Sequence, residues 1–160
     1  MSPHHQGGAD FLFRWGGVQS MNKFLAYCGS RCDLCPRYQA TLNGDSSRLA
    51  ELAELWHLCG WRERVLAAEE MTCHGCIETV WCRYGIPACA SQKGADNCGV
   101  CEDYTSCERL KEMFNRNHAY AEKCKSLCSQ EEYEILRLTC FNKKENLDNA
   151  RRVFHRRGAR

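Results

Sequence analysis

Helical spacing of apolar side chains is confined to two stretches, separated by one with no period at all. Leu49, Leu52, Ala53 and Trp56 stand three and four residues apart, which puts them on one face of a helix. The Asn43-Gly44-Asp45 turn precedes this run, so Ser46 or Ser47 is expected to cap the helix. Its end is expected near Cys59-Gly60, where glycine adopts the left-handed closing conformation. The period returns at about Thr105 with Leu110, Met113 and Phe114, and continues over 117–128. Ser129-Gln130-Glu131-Glu132 then reads as a capping box, the serine accepting from the third helical amide while Glu132 reaches back. Tyr133, Leu136 and Cys140 share the next face, and a last helix is expected from Lys143 to Arg156.

Between Thr72 and Cys101 neither a helical nor an alternating period is sustained; Gly75, Gly85, Pro87, Gly94 and Gly99 punctuate it. Such a stretch buries too little apolar surface to order itself, so something other than a core must hold it. The fold class expected is mainly α: a small cysteine-rich domain whose irregular metal-knuckle region packs on a helical bundle. The C-terminal third should supply two to four of the helices. Residues 1–20 read as a flexible, Gly-rich extension, with Met21 a plausible start of the folded part. Residues 21–160 read as one domain, 21–107 carrying the cysteine clusters and 108–160 a helical tail.

Composition narrows the chemistry. Fourteen of 160 residues are cysteine, a density that in a secreted protein would mean a disulfide scaffold. The N-terminal apolar patch Phe11-Leu12-Phe13 is broken by Arg14 and is too short for a secretion signal. No apolar run is long enough for a membrane span. The expected compartment is the cytoplasm, where paired cysteines serve as ligands or catalytic groups more often than as bridges.

Ten of the cysteines lie between positions 28 and 107: Cys28, Cys32 and Cys35, then Cys73, Cys76, Cys82 and Cys89, then Cys98, Cys101 and Cys107. Thiolates two or three residues apart converge readily on one tetrahedral cation, so all ten are candidate metal ligands, with zinc the expected metal. Cys98-Gly99-Val100-Cys101 is a knuckle whose glycine lets backbone amides point at the sulfurs. Together with Cys73-His74-Gly75-Cys76 it makes a C-x2-C, x21, C-x2-C arrangement close to that of a four-cysteine zinc site. Which cysteines share a site is left open by the spacing.

Cys28-x3-Cys32-x2-Cys35 also has the spacing that holds a [4Fe-4S] cluster in radical S-adenosylmethionine enzymes. No repeated strand-helix pattern follows Cys35, which argues against that chemistry. A plain [4Fe-4S] centre is the alternative to zinc, because Cys35-Pro36 resembles the end of a ferredoxin run and all-thiolate ligation suits both metals.

The remaining four cysteines read differently. Cys59 and Cys140 sit on apolar helix faces as small core residues. Cys124-x3-Cys128 places two thiols a helical turn apart, read as packing beside Leu127, with metal binding or a redox pair as alternatives. His57, His74 and His118 lack a carboxylate or nucleophile partner in the sequence. No phosphate loop, serine nucleophile motif or paired-carboxylate signature is present, so no catalytic residue is assigned.

Charge bears on partners. Residues 28–107 hold 7 basic and 11 acidic side chains, whereas 108–160 hold 13 basic and 8 acidic. An acidic cysteine region is the wrong sign for phosphate contact, so nucleic acid is not the expected partner. The basic end from Arg151 to Arg160 reads as a solvated helix terminus.

These residues resemble a known family. Tyr27-Cys28-Gly29, Cys32-Asp33-Leu34-Cys35-Pro36, Asn43-Gly44-Asp45 leading into Leu52-Ala53-Glu54-Leu55-Trp56, Cys73-His74-Gly75-Cys76, and Cys98-Gly99-Val100-Cys101-Glu102-Asp103-Tyr104 through Cys107 look like the bacterial and archaeal domain of unknown function 3795 family. Ser129-Gln130-Glu131-Glu132-Tyr133 and Asn142-Lys143-Lys144-Glu145-Asn146-Leu147 are similar to the helical tail of many members, so the resemblance spans about residues 24 to 150. It implies a small cysteine-rich prokaryotic protein suspected of binding zinc, with no assigned reaction. Together these readings point to a metal-binding protein with a structural or protein-interaction role and an unidentified protein partner. An iron-sulfur or thiol-based redox protein is the rival.

Overall fold

The computed structural model of the protein describes residues 25–76 and 82–159; the N-terminal extension expected over 1–20 lies outside them. The described chain is mainly α, and its only β feature among these residues is a single bridge between Leu25 and Arg31.

The first apolar run forms the helix Ser46–Leu58 and buries Leu49, Leu52, Ala53 and Trp56, as the spacing requires. Its cap is Asp45 rather than a serine: the carboxylate accepts the Arg48 amide at 2.9 Å, a role aspartate fills as well as serine. The helix closes at Gly60, φ 86°, where the Trp61 amide reaches the Trp56 carbonyl at 2.8 Å.

Two short helices, Pro36–Leu42 (α1) and Ile86–Gln92 (α3), flank this longer one (α2). They are built alike. Each has proline in its first turn, where the missing N–H costs nothing. Each ends at a left-handed glycine, Gly44 or Gly94, both at φ 64°. The following amides then bond back, Asp45 to Ala40 at 2.9 Å and Ala95 to Ala90 at 3.0 Å. The stretch 72–101, expected to lack helix, therefore contains one. Pro87 and Gly94 are the start and stop signals of α3, and seven residues are too few to display a period.

The C-terminal third begins with α4, Glu108–Lys125, after a separate 3₁₀ turn at Tyr104–Ser106. α4 buries Leu110, Met113, Asn117, Ala121 and Cys124. Helix α5, Gln130–Leu136, is capped by Ser129, whose hydroxyl accepts the Glu132 amide at 3.1 Å. The reciprocal half of the expected capping box is replaced, because the Glu132 carboxylate meets Arg48 of α2. The chain then widens into a π turn over Arg137–Phe141, closed by the Asn142 amide on the Arg137 carbonyl at 2.9 Å. Asn117 of α4 holds that turn, donating to the Cys140 carbonyl at 2.8 Å and the Phe141 carbonyl at 3.2 Å.

The last helix, α6, runs Lys143–Gly158. It lies across two cysteine loops at once. A Cβ on Gly29 would collide with the Lys143 carbonyl and stand 2.8 Å from Leu147 Cγ; one on Gly99 would collide with the Leu147 carbonyl. Arg151 donates to the Gly99 and Cys101 carbonyls at 3.1 Å each. Tyr104 donates to Asp148 at 2.6 Å, and the two loops join where the Cys98 amide meets the Tyr27 carbonyl at 2.9 Å.

Three apolar clusters result. One joins α1, α2 and Met71; one joins Ile86, Tyr104, Leu110, Met113 and Leu147; the third is Cys59, Cys124 and Leu136. No described helix is long and apolar enough to cross a membrane.

Candidate metal centre

All fourteen cysteines lie among the described residues, and every one is a free thiol. The ten candidate ligands are partly buried, and none is fully exposed.

The first group draws on two distant segments. Cys28 lies in the loop closed by the Leu25–Arg31 bridge and Cys32 opens the 3₁₀ turn Cys32–Leu34, while Cys73 and Cys76 follow the Glu69–Met71 turn. Arg37 anchors the second segment to the first by donating to the Thr72 carbonyl at 2.9 Å and to the Met71 carbonyl. The Thr41 hydroxyl accepts the Cys73 amide at 3.0 Å.

The four sulfurs share one electrostatic environment. Cys76 donates its S–H to Cys28, which holds the Cys28 thiol well below its ordinary range against the effect of burial; the Lys143 ammonium and Ser30 add to the lowering. Cys76 is correspondingly pushed far up, as donor to Cys28 and through burial and the charges of Cys28, Cys32 and Cys73. Burial, followed by the charges of Cys35, Cys73 and Cys28, raises Cys32 to about 11, although the Cys76 amide points at its sulfur. The charge sits on Cys28 and keeps its neighbours protonated, and a bound cation would let the other sulfurs ionise as well.

The second group is Cys89, Cys98, Cys101 and Cys107. Cys89 lies on α3, Cys98 and Cys101 frame the 3₁₀ turn Cys98–Val100, and Cys107 precedes α4. Asn97, 2% exposed, holds the knuckle by accepting the Gly99 amide at 2.9 Å. Burial raises Cys98 to about 12, and the charges of Cys28, Cys107, Cys101 and Cys89 add to it. The C-x2-C, x21, C-x2-C arrangement of the sequence is thus divided. Cys28, Cys32 and Cys73 act on Cys76, whereas Cys98 feels the charge of Cys28 first and then those of Cys107, Cys101 and Cys89.

Two candidates fall outside these groups. Cys35 sits at the start of α1, where Cys140 donates to it and the Tyr38 and Arg37 amides face it, lowering its thiol to about 6 against the effect of burial. Cys82 packs against the Ile86 cluster. His74, inside the first knuckle, is exposed.

The partnership of Cys140 with Cys35 escaped the sequence reading, which made Cys140 a core residue only. Cys59 and Cys124 are likewise buried together, with Cys124 donating to Cys59. The packing expected of Cys124 and Cys128 is found against Cys59 and Leu136, while Leu127, their expected neighbour, is 42% exposed. No signal in the sequence pairs residues this far apart.

Among the described residues no three His, Cys, Asp or Glu side chains stand in a geometry that closes on one metal ion. The donor chemistry nevertheless fits a soft or borderline metal: each group offers four thiols and no carboxylate, the set that suits zinc or an iron-sulfur centre.

A model of the family described as "Protein of unknown function (DUF3795)" matches residues 24–112. The match takes in both cysteine groups and ends inside α4. No curated protein and no solved structure matches the chain.

Proposed function

The chain belongs to that family of unknown function, and from this premise we propose that it is a zinc-binding protein whose metal serves structure and protein interaction. Cys28, Cys32, Cys73 and Cys76 would hold one ion, and Cys89, Cys98, Cys101 and Cys107 a second. The observation that carries the reading is the joining of two cysteine segments about forty residues apart, Arg37 and Thr41 of α1 holding the Thr72–Cys73 backbone and the Cys28 charge acting on both Cys32 and Cys76. Bound as four-coordinate thiolate sites, the ions would leave no open position for water or substrate. Zinc when bound supplies folding free energy, roughly 10–16 kcal/mol per site in small peptides near neutral pH.

The protein's own groups prepare these places. Asn97 and Gly99 shape the second knuckle. Lys143 lies beside the first group, where burial disfavours its charge and the neighbouring sulfurs, Cys28 first, outweigh that effect. A partner that docks on a fixed, metal-ordered surface loses less freedom on binding than one that must order it.

Elemental analysis of protein purified without oxygen tests the reading. Colourless protein with about two zinc ions per chain, as eight thiolates allow, supports it. Brown protein containing iron and inorganic sulfide replaces it with the redox reading, for which an all-thiolate donor set is equally suitable. Metal-free protein with unchanged thermal melting overturns both.

A further inference from the structure

We propose that Cys59, Cys124 and Cys128 form a thiol relay that takes up an oxidising disulfide at the surface and stores it as a buried Cys59–Cys124 link between α2 and α4. The site is separate from the two proposed metal groups and does not depend on them.

The three cysteines meet in the third apolar cluster. Cys59 closes α2 and Cys124 lies in the last turn of α4; both are completely buried against Leu136. Cys124 donates to Cys59 and in turn interacts through its side chain with Cys128. Cys128 follows the end of α4, donates to the Cys124 carbonyl at 3.2 Å, and is only partly buried between the exposed Leu127 and Ser129. A buried thiol is shielded from bulk oxidants. Cys59 and Cys124 therefore react only through the member that solvent reaches.

The steps balance with a low-molecular-weight disulfide such as oxidised glutathione as oxidant. The Cys128 thiolate attacks it, forming a mixed disulfide and releasing one small thiolate. Cys124 attacks the Cys128 sulfur, passing its proton to Cys59, and the second small thiolate leaves. Cys59 then attacks the Cys124 sulfur, and its proton passes to Cys128, which leaves as the free thiol. The net change is two protein thiols oxidised and one small disulfide reduced to two thiols. Cys124 already donates to Cys59 and the Lys123 charge also favours the Cys59 thiolate, so the proton transfer of the second step has its path in place. Burial raises the Cys128 thiol, which makes the first step slow at neutral pH and faster in alkali.

Full-length, metal-loaded protein treated with oxidised glutathione, acid-quenched, alkylated and mapped by peptide mass spectrometry tests this. The expected product is a Cys59–Cys124 linked peptide, reversed by dithiothreitol and formed faster at pH 9 than at pH 7. Cys128→Ser, at a partly exposed position where folding is retained, should slow its appearance by about tenfold or more, since direct attack on buried sulfur is blocked. Cys59→Ala should stop the reaction at a Cys124–Cys128 link. Recovery of Cys59 and Cys124 as free thiols while Cys128 carries glutathione would overturn the proposal. So would a Cys128→Ser protein that forms the link at the wild-type rate.

Discussion

Asn146 of α6 donates its side-chain amide to the Gly29 carbonyl at 2.8 Å, across 117 residues of sequence. The bond marks how closely the last helix rides on the first cysteine loop, and the same helix meets Gly99 in the second. Glycine is required at both places for lack of room, and Gly29 also holds φ 90°. Gly99→Ala and Gly29→Ala should each lower stability by about 1–3 kcal/mol, the usual range for overpacking a close contact. Gly158→Ala, with open space around it, should change little. Urea denaturation of the three variants measures the difference.

A second expectation concerns the π turn. Asn117 is 6% exposed and satisfies two carbonyls of that turn. Asn117→Leu keeps the branched outline of the side chain but strands those acceptors in a buried place, at a cost of about 1–3 kcal/mol. Hydrogen exchange over 137–141 should accelerate more than exchange in α2.

Those two features also show where sequence reasoning reaches and where it stops. α2, α4 and α6 are legible because each repeats its apolar face over several turns, as Leu49, Leu52, Ala53 and Trp56 do. α1 and α3 are two turns long, so only their proline and glycine termini announce them. The π turn depends on Asn117, a residue of another helix, and no local window contains that information. The cysteine groups stand out in the sequence by their spacing, but which segments the fold brings together does not. Cys73 and Cys76 turn to Cys28 and Cys32 because Arg37 and Thr41 of α1 anchor that segment, and those bonds leave no trace in the interval between cysteines.

The loop after α2 offers a pH test. Arg64 donates twice to Glu70, at 2.6 and 2.9 Å, and the Ala67 amide adds a third bond at 2.9 Å. The guanidinium foremost, then the amide, lowers the Glu70 carboxyl to about 2. An unfolded glutamate titrates near about 4.3. A folded value below that means the contribution is complete above the unfolded value and disappears as pH falls through the folded one. Glu70→Gln should therefore lower the melting temperature at pH 6, and the gap from wild type should narrow as pH falls below about 4. A gap independent of pH would show that the carboxylate charge is not its source.

Metal loss gives the last expectation. If the two thiol groups hold zinc, Cys98→Ser or Cys101→Ser should unfold the segment around the second knuckle and release about one ion per chain. Cys59→Ala removes a single small sulfur from the third cluster and should be mild. A chelator at neutral pH should reproduce the serine variants, read by melting temperature and by bound zinc.

The position of α6 bears on how the protein is made. Synthesis proceeds from the N-terminus, and domains take shape as their parts emerge from the ribosome. Gly29 and Gly99 lie far upstream of the helix that covers them. Until residues 143–158 leave the exit tunnel, both loops must wait uncovered with their sulfurs open to air and to passing metal. The interval in which both loops lack this cover is thus set by α6, and truncation anywhere before Leu147 would remove the contacts at Gly99 and part of those at Gly29.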